Sequence, residues 1–270
     1  MDLSIIITSY KNPQLLKVCL DSLKQCAQEG ISFEIIVADS ATEEDSEMMM
    51  REDYPEVSFF AFKDNVGFQA LVKKGFEQSR GQYILMLNSD IIVNPDSVRE
   101  LLSVIKADSS IGMVGPKLLN FNGTLQYSCF RFYKPFTIVY RRTMLGKFAF
   151  AKKHLDWFLM KEYDHQTPQE VDWIMGSAIM LSRSAIEKVG LMDPRYFMYM
   201  EDVDWCRRFW EAGFKVIYYP LVTMHHYHGK GSAKGGVLHS LFSSRLTWIH
   251  ISSGIKYFRK FWGKNMPIHN

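Results

Sequence analysis

Two short runs place carboxylates where chemistry would need them. Residues 85–90 read Leu-Met-Leu-Asn-Ser-Asp, and residues 194–204 read Pro-Arg-Tyr-Phe-Met-Tyr-Met-Glu-Asp-Val-Asp. Each reads as a hydrophobic strand that ends in acids. Asp90 falls at the C-terminal end of its strand, the edge where α/β sheets bind ligands. Glu201 and Asp202 fall where an aromatic run, Tyr196–Met200, meets a new helix, whose dipole favours an ionised carboxylate. An acid of the first kind can hold a divalent cation. An acid of the second kind suits a base that has to be unprotonated near neutral pH. The same acids could also do no more than cap the helices that follow.

Other residues point the same way. Asp39 ends a second strand and could hold a cation, accept hydrogen bonds from a base or ribose, or cap a helix. Thr8-Ser9-Tyr10 ends the first strand, where a dinucleotide fold would carry GxGxxG. That motif is missing, and so is GxxxxGK[ST], so a phosphate site has to be built from acids and a cation. Asn65-Val66-Gly67-Phe68 follows the third strand; Gly67 allows close backbone approach, and the next helix offers free N–H groups to an anion. His225, His226 and His228 precede Gly229-Lys230-Gly231-Ser232. A histidine there could complete a metal site with Asp90. The alternative is a solvated loop.

These residues need a scaffold that brings strand ends together. Over the first 118 residues, apolar strands are expected at Leu3–Ser9, Phe33–Asp39, Val57–Phe62, Gln82–Asn88 and Gly112–Leu118. Helices are expected from Asn12-Pro13, over Gly67–Ser79 and from Pro95. Strands alternating with helices predict an α/β fold with a doubly wound, mainly parallel sheet. Asn122-Gly123 signals a hairpin. Beyond it come a helical, basic and aromatic excursion at 129–160, an apolar run Val171–Leu181 broken by Gly-Ser, and a short helix at 184–189. A helix near 202–212, a strand Lys215–Tyr219 and a final helix from about Val237 to Trp262 complete the chain.

The chain has 270 residues, 47% of them hydrophobic, and four cysteines without a CxxC pair. That is enough for a sizeable core and suits a reducing cytoplasm. No signal peptide and no membrane-spanning segment are expected. The net charge of +3 is unevenly spread: eight of the 32 Lys and Arg lie after Glu211, where there is no acid at all. A second acid-free stretch, 121–155, carries seven more among many aromatics. This asymmetry points to an anionic partner. No nucleic-acid-binding module appears, and the mixed apolar and basic last helix reads equally as an interfacial helix or as one packed on the sheet.

Taken in order, these stretches resemble family 2 glycosyltransferases with the GT-A fold, and among them bacterial rhamnosyltransferase-like members that extend lipid-linked surface glycans. The matching stretches are Ser4–Asn12, Ile35–Ser40, Asp64–Phe68, Met86–Asp90 with Asn94-Pro95-Asp96, Gly176–Arg183, Gly190–Arg208 and His226–Ser232; Gly190–Arg208 is the most specific. The resemblance implies a GT-A domain over 1–235, with a nucleotide-binding half to about 118 and an acceptor half after it, and a C-terminal basic amphipathic tail over 236–270. It implies that Thr8, Ser9 and Tyr10 border base and ribose, that Asp39 contacts them, and that Asn65 and Gly67 line the nucleotide pocket. Asn88-Ser89-Asp90 takes the place of the DxD motif, with Asn88 where the first acid stands. Asp90 and His226 would hold Mg²⁺ or Mn²⁺, with His228 second to His226. Trp173, Gly176 and Ser177 would form the sugar and acceptor floor. Asp202 would be the base of an inverting transfer, with Glu201 as runner-up. The implied partners are a nucleoside-diphosphate sugar, first dTDP-rhamnose, and a glycan acceptor, lipid-linked and reached at the inner face of the cell membrane. A UDP-hexose donor is the first alternative. A nucleotidyltransferase would want a Gly-rich loop after the first strand, which Thr8–Asn12 lacks; a non-catalytic membrane-associated module has only Asn88 in its favour.

Overall fold

The computed structural model describes residues 1–27, 32–227 and 245–267. Its first half is the expected alternation. β1 (Leu3–Tyr10), β2 (Phe33–Ser40), β3 (Ser58–Phe62) and β4 (Tyr83–Asn88) lie parallel in the order β3-β2-β1-β4. Strands covered on both faces carry apolar residues at every position rather than at alternate ones. In β1, Ile5 and Ile7 enter one hydrophobic cluster and Ile6 the other. α1 (Pro13–Ala27) starts with Pro at its first turn, and Asn12 Oδ1 caps it by accepting from Leu15 N at 3.1 Å. α3 (Phe68–Gln78) and α4 (Ser97–Ala107) fall as expected.

α2 (Glu44–Asp53) was not foreseeable from apolar spacing. It is almost entirely polar and buries only Ser46 and Met50.

The sheet continues from β4 through antiparallel β11 (Ala178–Ser182) to β6 (Ile111–Leu119), β12 (Lys215–His226) and β5 (Ile91–Val93). β12 runs parallel to β6 and antiparallel to β5. β12 is longer than the Lys215–Tyr219 expected from sequence. Pro220 follows that stretch, and there the ladder shifts register between Tyr219 and Thr223 and resumes; a bulge is where a strand tolerates proline. The resumed part places His226 opposite Ile91. The Asn122-Gly123 hairpin forms between β6 and β7 (Leu125–Gln126), with Gly123 at φ +77°.

The excursion opens with a two-residue strand, β8 (Cys129–Phe130), paired to β10 (Trp173–Ile174). Its helical part follows as α5 (Thr137–Arg142), a 3₁₀ turn at Met144–Lys147 and α6 (Ala149–Phe158). β9 (Gln169–Glu170) pairs with β12, and α7 (Arg183–Val189) follows β11.

The strand expected at Tyr196–Met200 does not form. Tyr199 and Met200 both take left-handed backbone, φ +66° and +69°, which no strand accommodates. The segment is a bent approach to α8 (Glu201–Glu211). α8 buries Trp205 and Phe209 against the sheet and is fixed at its third acid. Asp204, fully buried, accepts from Arg208 Nε at 2.7 Å, Lys260 Nζ at 2.5 Å and the Tyr196 hydroxyl at 3.2 Å.

Lys260 comes from α9 (Arg245–Lys260), which lies against α8 and α5 rather than apart from them. Tyr257 and Phe261 sit in the core, and Gly254 packs on Ile138. His228, Lys230, Ser232 and the expected start of the last helix at Val237 fall outside the described residues. Among the described residues no helix is long and apolar enough to cross a membrane.

A buried carboxylate with three donors should be expensive to remove. Asp204→Ala should cost about 3–5 kcal/mol by taking the carboxylate from Arg208 and the Tyr196 hydroxyl and leaving Lys260 with Asp193 alone, read from the denaturant midpoint. A loss below about 1 kcal/mol, the range of exposed pairs, would contradict this role.

Candidate active site

The C-terminal ends of β1, β2 and β4 open onto a cavity of about 240 Å³. Its wall includes Thr8, Ser9, Tyr10, Asn65, Gly67, Asn88, Ser89 and Asp90, eight residues singled out from sequence, together with Asn12, Leu15, Ser40, Phe68, Leu71 and Met198. Local hydrogen bonds set the wall. Thr8 Oγ1 donates to Asn88 Oδ1 at 3.1 Å, so the amide in place of an acid is used to tie β1 to β4. Asn65 Oδ1 accepts from Gly67 N at 3.1 Å, and Ser40 Oγ accepts from Val66 N at 3.0 Å, which pins the loop to the end of β2. Gly67 is required here. Its φ is +83°, and a Cβ would meet the carbonyl oxygen of Phe197 at 2.8 Å.

Asp90 and His226 meet. His226 Nε2 lies 3.3 Å from Asp90 Oδ1, and its Nδ1 lies 2.9 Å from Gln126 Oε1. An amide oxygen only accepts, so Nδ1 is the donor to Gln126 and that bond turns Nε2 toward Asp90. Asp90 Oδ1 is buried and has no hydrogen-bond donor. A carboxylate oxygen and an imidazole nitrogen side by side are a donor set that suits a divalent cation. Among the described residues no third His, Cys, Asp or Glu joins the pair. That suits an ion such as Mg²⁺ or Mn²⁺, which keeps few protein ligands and fills its shell with water and phosphate oxygens. Gln126 plays the part of the outer partner that orients a ligating imidazole. Sequence reasoning missed it, although it follows directly on the hairpin signal.

Asp202 stands beside the cavity rather than in its wall. Its Oδ2 accepts from Gly176 N at 3.2 Å and its Oδ1 from Val203 N at 2.9 Å. A Cβ on Gly176 would lie 3.3 Å from Phe68 Cε1 and 3.5 Å from Asp202 Cβ, so Phe68 of the cavity wall and Asp202 both border Gly176. Ser177 then links to the strand end that carries the other acid: its carbonyl oxygen accepts from Asn88 N at 2.8 Å. Burial pushes the Asp202 carboxyl up to about 6, with the Gly176 and Val203 amides pulling the other way. Glu201 is buried and pushed well above the usual carboxylate range, first by burial and then by the Asp202 charge. A neutral Glu201 next to an ionisable Asp202 is the kind of split that assigns roles in a carboxylate pair. Asp204, the third acid of the run, belongs to the structure.

Two candidates lie elsewhere. Asp39 is fully buried behind Ser9 and Ser40 and is not on the cavity wall; no well-formed hydrogen bond reaches its carboxylate, and burial raises its pKa while the nearby Ser9, Thr42 and Ser40 groups pull the other way. Trp173 is a core residue. Its ring stacks on Phe130 at 4.3 Å, and its indole N–H donates to Arg131 O at 2.9 Å. An aromatic at a strand end has the same sequence signature in either place.

Unsatisfied groups and unusual backbone collect at this site. Eleven buried side-chain polar atoms of the described residues lack a partner, and six of them belong to Ser9, Asp39, Asp90, Ser177 and Glu201. Among the described residues six non-glycine residues have positive φ, and Lys11, Ala41, Tyr199 and Met200 border the site. Such orphans and strain mark places built for a ligand.

A profile of the family described as glycosyl transferase family 2 matches residues 4–190. The chain belongs to glycosyl transferase family 2. Two curated relatives cover nearly all of it. One is the N-acetylglucosaminyl-diphospho-decaprenol L-rhamnosyltransferase of Mycobacterium tuberculosis, 24% identical over 93% of this chain and 84% of the relative. The other is rhamnosyltransferase WbbL of Escherichia coli, 26% identical over 95% of this chain and 92% of the relative. Among solved structures, GalNAc-T7 with UDP, GalNAc and Mn²⁺ superposes with a TM-score of 0.62 at 15% identity, over 84% of this chain and 43% of that protein. TarS of S. aureus gives 0.57 at 12% identity, over 84% of this chain and 37% of that protein. The fold is therefore GT-A, an α/β fold with a mostly parallel central sheet.

The folded chain holds the Glu201 proton more tightly than the unfolded chain does. Stability therefore falls as pH rises from the ordinary carboxylate range toward that raised value. Glu201→Gln removes this slope. Its thermal midpoint should gain on that of the native sequence between about pH 5 and pH 8; a difference that stays constant with pH would contradict the assignment.

Proposed function

We propose that this family 2 glycosyltransferase moves a sugar from a nucleoside diphosphate to a hydroxyl of a lipid-linked glycan acceptor, with inversion, at a membrane face. The observation that carries the reading is the junction of the two acid clusters. Asn88 and Asp90 on one side and Asp202 on the other are joined through Gly176 and Ser177 beside a single cavity. The rhamnosyltransferase relatives make L-rhamnose from dTDP-rhamnose the first donor to try, and the diphospho-decaprenol in one relative's name supports the lipid-linked acceptor.

Thr8, Ser9, Tyr10, Asn65 and Gly67 bind the nucleoside in this reading, and Asp39 closes the base pocket from behind. Asp90 and His226 would hold Mg²⁺ or Mn²⁺, with Asn88 and Ser89 beside them. When bound, the ion neutralises charge on the leaving diphosphate. Asp202 takes the proton from the acceptor hydroxyl as its oxygen attacks the anomeric carbon from the face opposite the diphosphate. The Gly176 and Val203 amides hold its carboxylate in place and ionised above about pH 6. Glu201, neutral and buried behind it, leaves Asp202 the only charge of the pair. The positive charge that builds on the sugar ring resembles that of glycoside hydrolysis.

Two measurements test this. Asp202→Asn should lower sugar transfer about 10²–10⁴-fold with donor binding kept, and native turnover should fall as pH drops below about 6, where the base is protonated. Activity within a few-fold of native would remove Asp202 as base. A thermal-shift screen of nucleoside diphosphates should show stabilisation that grows with Mn²⁺. Asp90→Asn should lose the Mn²⁺-dependent part and keep the rest. Equal shifts with and without Mn²⁺ would argue against the ion.

A further inference from the structure

Two adjacent arginines of the excursion remain without a role. Arg141 and Arg142 end α5, and neither makes an ion pair with a carboxylate among the described residues. Both are held by aromatic and neutral groups instead. Arg141 donates to the Tyr133 hydroxyl and lies 5.3 Å from the Phe158 ring centre. Arg142 lies 5.5 Å from the Tyr199 ring centre, and its Nε donates to His250 Nδ1 at 3.1 Å. His250 shares none of the positive charge: burial and the two arginines push its pKa down to about 3.

The place matters. Tyr199 belongs to the segment from Met198, on the cavity wall, to Asp202, the base. Tyr133, which Arg141 engages, is close enough to feel the Asp202 charge, and Arg141 itself pulls the Asp202 pKa down. The outer side of the same excursion is apolar and exposed: Phe136, Val139, Met144, Leu145, Phe148 and Phe150 all face solvent. Two guanidinium groups beside the base with no carboxylate in ion-pair contact, bordered by an exposed hydrocarbon-like shelf, match one kind of molecule: a diphosphate carrying a long apolar chain.

We propose that Arg141 and Arg142 bind the diphosphate of the lipid-linked acceptor, and that its hydrocarbon chain leaves along the shelf formed by α5, the 3₁₀ turn and α6. This rests on the proposed reading that the acceptor is lipid-linked. It assigns to this subsite a diphosphate distinct from the one on the donor. Guanidinium groups suit this task because they pair with phosphate oxygens in a fixed fork and stay charged.

The test uses farnesyl diphosphate as the probe, with farnesol as the control. Binding to the full chain is measured with the donor site filled by Mn²⁺ and the nucleoside diphosphate found in the thermal-shift screen. Farnesyl diphosphate should bind, and farnesol should bind far more weakly. Arg141→Gln and Arg142→Gln should each weaken farnesyl diphosphate roughly tenfold or more, with farnesol and nucleoside diphosphate binding unchanged. Equal affinity of the native chain and both variants for farnesyl diphosphate would overturn the proposal. So would loss of nucleoside diphosphate binding in the variants, which would place the arginines in the donor site or the fold. A third overturning result is equal loss of binding to phosphatidylglycerol vesicles lacking any diphosphate lipid, which would make the arginines readers of bilayer headgroups. A native chain that binds no nucleoside diphosphate would instead sink the transferase reading itself.

Discussion

Three consecutive residues carry the geometry of the site, because the backbone at 88–90 is bound to three different strands or their extensions. Asn88 N donates to Ser177 O at 2.8 Å, Ser89 N donates to Thr8 O at 2.9 Å, and Asp90 O accepts from Tyr227 N at 2.9 Å. Each bond fixes one side of the site. The first brings the Gly176–Ser177 link, and with it Asp202. The second closes the nucleotide side at the end of β1. The third, with the pairing of His226 opposite Ile91, sets the imidazole against the carboxylate. Side chains on rigid strand ends are placed more closely than side chains on loops. Here the strand ends belong to both halves of the chain.

The electrostatics follow from that placement. Burial raises both the Glu201 and the Asp202 carboxyls, and the Asp202 charge raises Glu201 further. Stability is given up locally: unpartnered polar atoms and left-handed backbone at Lys11, Ala41, Tyr199 and Met200 surround the site. The surroundings hold them in place. Lys260 of α9 pairs with Asp193 at 2.7 Å as well as with Asp204, and Ser253 Oγ donates to Met198 O at 2.9 Å. α9 thereby braces the segment that leads from the cavity to the base. The basic, acid-free tail is in this part a structural member of the fold.

The sequence made the strand ends legible because parallel strands buried on both faces are continuous apolar runs, and their last residues stand out as the first polar ones. Thr8, Asp39, Asn88 and Asp90 were visible for that reason, and Gly67 because a glycine between strand and helix has few other uses. What stayed hidden depends on pairing rather than pattern. β5 is three residues long and reads as the lead-in to Asn94-Pro95. The second part of β12 lies behind a proline. Gln126 matters only once β7 returns beside β12. The approach to α8 looked like an aromatic strand, yet left-handed residues at Tyr199 and Met200 bend it, and nothing in their side chains announces that. Trp173 illustrates the converse: its type suited a sugar floor, and packing against Phe130 made it core.

The claim everything else rests on is that Asp90 and Asp202 serve one bound donor. A crystal structure with Mn²⁺ and the preferred nucleoside diphosphate tests it most directly. The ion should sit on Asp90 and His226 Nε2 at about 2.0–2.3 Å, the diphosphate on that ion, and the Asp202 carboxylate should face the space where the sugar would sit. A diphosphate bound elsewhere, or packed side chains between it and Asp202, would contradict it.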